Sequence, residues 1–143
     1  MPVPKLVEEN IAKVRRVIEE IYNQGNLGLA DELFTSDFNR HDPSIPDVGR
    51  GPNGVRQVAT RYRTAFPDLH LTIEDTLSDG DRVVVQWSST GTHRGELQGI
   101  APTGKKIAIT GMSIIRFSSG RIAEEWANWD TLGMLRQLAV IPQ

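Results

Sequence analysis

The chain contains no cysteine. Disulfides, thiolate metal ligands and a thiol nucleophile are therefore excluded, while the redox compartment stays open. Positive charge is not in excess either. Sixteen Lys and Arg stand against 18 Asp and Glu, so no net field argues for nucleic acid as a partner. Long apolar runs are missing too: MPVPKLVEENIAKVRRVIEE turns charged and amphipathic at once and reads as neither a secretory leader nor a membrane span. The default expectation is a cytoplasmic protein with no membrane partner. The three histidines show no tight ligand spacing such as HxxxH, so no metal is expected. A phosphate-binding Gly-rich loop ending in Lys-Ser/Thr and a GxSxG nucleophile elbow are both lacking.

What is present suits one domain spanning residues 1–143, large enough to bury roughly 70% of the surface of its unfolded chain. Apolar residues at Leu6, Val7, Ile11, Val14, Val17, Ile18, Ile21 and Tyr22 fall at helical spacing, and Asn23-Gln24-Gly25-Asn26 ends that helix. A short helix is predicted over 27–34, a short extended piece over 38–43, a loop to 54 and a third helix over 55–66. After Pro67 the period changes to two. Strands are predicted over 69–74, 82–92, 105–117 and 122–129, with turns at Ser78–Asp81 and Ser118–Gly120 and a wide connection at 95–104. A closing helix over 131–139 completes the chain. Helices first and hairpin-linked strands afterwards is the order of an α+β fold.

Several strands carry bulky or apolar residues on both faces: Val83, Val85 and Trp87 alternate with Val84, and Ile107, Ile109 and Ile115 with Met112 and Ile114. One face is expected to meet helices and the other a second copy of the chain, giving a homodimer through the sheet. In the last strand, period two puts Glu124, Trp126, Asn128 and Asp130 on one side and Glu125, Ala127 and Trp129 on the other. The first set is expected to face an apolar cavity, where desolvation would suit Asp130 to proton transfer. Asp130 is equally well placed to cap the helix beginning at Thr131.

Segments spread along most of the chain carry a family resemblance. They are Asn23–Asn26, His41-Asp42-Pro43, Ala65-Phe66-Pro67-Asp68, Gly91–Gly95 with Gly99–Gly104, Arg116–Ile122, Glu125-Trp126 through Asp130, and Gly133–Leu138. In this order and spacing the chain resembles the SnoaL-like polyketide cyclases (ester cyclases) of the nuclear-transport-factor-2-like superfamily. The resemblance implies a cone-shaped α+β fold, with a curved antiparallel sheet wrapped around N-terminal helices. It also implies a pocket between sheet and helices, and an intramolecular aldol closure of an aromatic polyketide ester without metal or organic cofactor. A carboxylate near the end of the last strand would act as acid/base, and Asp130 stands in the matching region. A histidine those cyclases use on the preceding strand has no counterpart, since none occurs after Lys105; Gly111–Ile115 offers Ser113 as its one polar side chain.

The expected function is cofactor-independent acid/base chemistry, by aldol-type cyclisation, isomerisation or hydration/hydrolysis, on a small hydrophobic or aromatic molecule. The alternatives are a non-catalytic small-molecule-binding or protein-interaction module on the same fold, or an accessory to a hydroxylase. Asp130 is the expected acid/base, with His93 and His41 as its catalytic helpers. Tyr22, Phe66, Trp87, Met112, Trp126 and Asn128 are the expected substrate-binding residues.

Overall fold

The computed structural model of the protein describes residues 4–142. Helix α1 (Lys5–Arg16) runs without a break into a wider π-helical segment (Val17–Asn23). There follow α2 (Leu29–Leu33), β1 (Phe34–His41), α3 (Gly51–Ala65), β2 (His70–Asp79), β3 (Arg82–Thr92), β4 (Lys106–Ser118), β5 (Arg121–Trp129) and α4 (Thr131–Gln137). The strands form one sheet in the order β1-β5-β4-β3-β2. Every neighbouring pair is antiparallel except β1 with β5, which is parallel. This is the α+β architecture expected, with one more strand. The segment FTSDFNRH, of which only the end was expected to be extended, forms a full edge strand. Its run of small polar residues hides the alternation that marks a half-buried strand.

The helices pack on one face of the sheet. Val14, Ile18 and Ile21 from the first helix, Leu33 and Phe34, Phe38 of β1, Val55 and Ala59 of α3, and Val83, Val85 and Ile115 of the sheet form one buried cluster. A second cluster joins Phe66, Leu69, Leu97, Ile107 and Ile109 to Met134 and Leu138 of the closing helix. Each fully buried side chain of this size contributes about 1.5–3 kcal/mol relative to exposure. Strand β4 alternates cleanly: Ile107, Ile109, Gly111, Ser113, Ile115 and Phe117 point inward, and Met112 and Ile114 outward.

Strand β5 does not alternate cleanly. Phe117 pairs with Ile122 and Arg116 with Glu124, so Ala123 is an extra residue with no partner on β4. This bulge inverts the phase. Ile122 points inward; beyond the bulge the inward residues are Glu125, Ala127 and Trp129, not Glu124, Trp126 and Asn128.

Candidate functional site

The two clusters leave between them a cavity of about 90 Å³. Its walls are mostly apolar, from Val17 and Ile18 through Leu71 and Val85 to Ile109 and Met134. At one end stands a buried polar group that sequence reasoning did not pick out: Arg40 and Asp42 at the exit of β1, and Glu125 on β5. The Asp42 side chain is 0% exposed, and those of Arg40 and Glu125 are 13% exposed. Period two on β1 turns Arg40 inward and His41 outward. The parallel register sets Arg40 opposite Glu125 and His41 opposite Trp126.

Arg40 uses its two terminal nitrogens in opposite directions. Nη1 donates to Glu125 Oε1 and Nη2 to Asp42 Oδ2, both at 3.2 Å. Both Asp42 oxygens are engaged: its Oδ2 also accepts from Trp129 Nε1 at 3.2 Å, and its Oδ1 accepts from Ser44 N at 2.9 Å. Glu125 Oε2, by contrast, has no hydrogen-bond partner among the described residues. Arg40 Nε is also buried without an acceptor. Burial works against the guanidinium charge, yet Glu125, Tyr22 and Asp42 together hold Arg40 above its ordinary value. The two tyrosines of the chain line the same end of the cavity. Burial raises Tyr22, with Arg40 opposing; burial and then Asp42 push Tyr62 up to about 12, so both are neutral donors at physiological pH.

The π-helical segment places Tyr22, and two side chains hold it there. Asn23 pairs with the backbone of Leu71 in both directions, Nδ2 donating to its O at 2.9 Å and Oδ1 accepting from its N at 2.7 Å. Arg63 Nη1 donates to the carbonyls of Tyr22 and Asn23, both at 2.8 Å. In the sequence Asn23 stood out only as part of the helix-ending Asn23–Asn26 segment, and Arg63 carried no signal beyond being polar near a helix end.

Of the expected substrate-binding residues, Tyr22, Phe66 and Trp87 line the cavity. Met112, Trp126 and Asn128 do not: the bulge puts Trp126 and Asn128 on the outer face of the sheet, where they are cross-strand neighbours of Ile114 and Met112. Asp130 is also corrected. It is exposed, and its Oδ1 accepts from Gly133 N at 2.8 Å, capping α4. His41 lies outside as well. Its Nε2 meets Glu124 Oε2 at 2.6 Å, and its ring stacks on Trp126 at 5.2 Å, with Arg82 over the same indole. His93 is 0% exposed but stands behind Phe66 and not on the cavity wall. Its Nδ1 accepts from Thr103 N at 3.2 Å, and its backbone bonds Lys105 and Gly104, so it fastens the connection between β3 and β4.

Comparison with known proteins places this fold in a known family. The SnoaL-like polyketide cyclase family matches residues 12–138. Aklanonic acid methyl ester cyclase DnrD of Streptomyces peucetius is 29% identical over 132 residues, 87% of each chain. Among solved structures, TsrD from Streptomyces laurentii superposes with a TM-score of 0.83 at 26% identity, over 99% of this chain and all of that one. A SnoaL-like protein from Jannaschia superposes with a TM-score of 0.89, over 99% of both chains, and at 22% identity it speaks for the fold alone. The match to the family runs from α1 into the residue after α4 and takes in every element that lines the cavity: the chain belongs to the SnoaL-like polyketide cyclases.

Proposed function

We propose that the protein is a cofactor-independent cyclase acting on a small carbonyl-bearing aromatic molecule, with Glu125 as its acid/base. The observation that carries this reading is the pairing of Glu125 with Arg40. One oxygen is fixed by the guanidinium while the other has no partner among the described residues, on a side chain that lines the mostly apolar cavity. Such a carboxylate is oriented by a charge-assisted bond and still free to accept a proton.

In the proposed reaction Glu125 Oε2 takes a proton from a carbon next to carbonyl groups, and the electron pair left behind delocalises onto oxygen. The carbanion adds to a ketone of the same molecule, forming one carbon–carbon bond and an alkoxide. Glu125 then returns the proton to that alkoxide, so no atom is gained or lost. Arg40 Nε and the hydroxyls of Tyr22 and Tyr62 are the donors at hand for the developing negative oxygen. Asp42 is a positioning residue: it holds Arg40 and Trp129, and each of its oxygens already accepts a hydrogen bond.

The aklanonic acid methyl ester on which the curated relative is named to act is the first substrate to try. Turnover by the wild type and a fall of about 10²–10⁴-fold in Glu125→Gln, with the fold intact by circular dichroism, is the expected result. Unchanged turnover in that variant removes Glu125 from the role. A binding module is the second reading, favoured by the fact that Arg40 ties both carboxylates. Ligand-induced thermal stabilisation of the wild type without product would support it.

The outer face of the sheet is proposed to pair with a second copy. Leu77, Val84, Ile114 and Trp126 are successive cross-strand partners from β2 to β5, forming one apolar row. The adjoining row sets Arg82 and Arg116 beside Glu124, a rim that can pair with itself about a two-fold axis.

A further inference from the structure

The floor of the cavity holds a second polar device away from the Arg40 group. Trp87, Gly111 and Trp129 are cross-strand partners on β3, β4 and β5, all on the inner face. A methyl group at Gly111 would overlap the six-membered ring of Trp87. The glycine is thus the bed on which that indole lies flat. Lying there, Trp87 directs Nε1 to Ser113 Oγ, 3.3 Å away and one inward position along β4. Ser113 is 4% exposed and lines the cavity. A serine hydroxyl has one proton to give and two lone pairs. Here the indole N–H occupies the oxygen as acceptor, and the hydroxyl proton has no acceptor among the described residues. A buried donor left without an acceptor is penalised, and a ligand oxygen would relieve that penalty.

We propose that Ser113 is a ligand-binding donor that anchors a carbonyl oxygen of the ligand, with Trp87 and Gly111 as the residues that position it. The site therefore selects planar carbonyl compounds over hydrocarbons of the same shape. The register gives it a partner in the reaction. Ser113 pairs with Ala127 and Ile115 with Glu125, so Ser113 is the diagonal inward neighbour of the proposed base. A carbonyl oxygen held by Ser113 is thereby set beside the proposed base. This orientation of substrate against Glu125 rests on the catalytic reading above; the binding preference does not.

The test uses 9-fluorenone and fluorene, which share a shape and differ by one carbonyl oxygen, titrated into the full-length protein by calorimetry. The wild type is expected to bind fluorenone about ten-fold more tightly than fluorene, the gain of one well-placed hydrogen bond. Ser113→Ala removes the preference and leaves fluorene affinity in place. Trp87→Phe keeps the ring but loses the N–H. Gly111→Ala displaces the indole while keeping the serine. Both reduce the preference with Ser113 still present, an effect that a merely space-filling Ser113 would not produce. A preference retained in Ser113→Ala, equal affinity for the two compounds in the wild type, or no fluorenone binding at all overturns the proposal. Glu125→Gln, measured alongside, separates the two readings: it loses turnover yet keeps the fluorenone preference.

Discussion

Two aspartates and two glutamates close together in sequence or space have four different tasks, set by what each oxygen meets. Asp42 is consumed by three donors, Glu124 pairs outside with His41, Asp130 caps a helix, and Glu125, on the cavity wall, keeps an oxygen without a partner among the described residues. Asp130→Ala is expected to lower stability by about 1 kcal/mol, the worth of an N-cap, with turnover retained. Denaturant midpoints and turnover measured together check this, and a loss of turnover at unchanged stability would return Asp130 to the chemistry. The tyrosines offer a second check on burial. Titration of tyrosinate absorbance should show neither Tyr22 nor Tyr62 ionising at its ordinary value of 10.0, with Tyr62 near 12. Because these folded values are raised, the neutral tyrosines contribute stability that is complete below 10 and is lost as pH climbs toward 12. At this scale the sequence was only partly legible. Tyr22, Phe66 and Trp87, expected at the pocket from their place on apolar stripes, do line the cavity, which leaves their part in binding a substrate open to test. Arg40 and Asp42 were passed over because a charged pair beside a proline looks like the start of a loop.

Elements were far more legible than the faces they present. The first helix, the β3 limits 82–92 and the β4–β5 hairpin emerged from spacing alone, since hydrophobic period and turn residues agree there. The inner face of β5 could not, because both of its sides offer a glutamate and a tryptophan. Only the unpaired Ala123 decides between them, and a bulge depends on pairing that a single strand does not display. Between elements, the pairing of Asn23 with Leu71 fixes the end of the π-helical segment to β2. Asn23→Ala removes two part-buried bonds and is expected to cost about 2 kcal/mol in chemical denaturation. Because Tyr22 is the preceding residue, fluorenone affinity should weaken in the same variant, whereas removal of the exposed Arg15–Glu19 pair should leave it unchanged.

For the whole molecule, charge and surface give two measurable behaviours. Asp68 is held below its ordinary value by bonds from the backbone and hydroxyl of Thr92, and Glu124 below its own by His41 and then Arg116. Depressed carboxylates contribute stability that is fully present above their ordinary values, 3.8 and 4.5, and is lost as pH falls through the lower folded ones. Acid unfolding should therefore begin below about pH 4.5 and shift upward in Asp68→Asn. The apolar row on the outer sheet face makes the second prediction. Ile114→Lys should convert a sedimenting dimer into monomers without loss of helix or strand signal, and a monomeric wild type would remove the proposed pairing.

The π-helical turn also limits how this sequence can vary. An ordinary helix advances about 100° per residue. Removing one residue from Val17–Asn23 would tighten the wide turn into that regular pitch while Asn23 stayed anchored to β2. The wide turn takes more residues per revolution than an ordinary one, so the shortened, tightened segment turns through nearly the same total angle, and α1 upstream keeps Val14 and Asn10 toward the core. Deletion of the solvent-facing Glu19 should therefore be tolerated, whereas deletion of Arg15 from the regular part of α1 would turn Val14 and Asn10 away from the core by about 100° and should abolish folding.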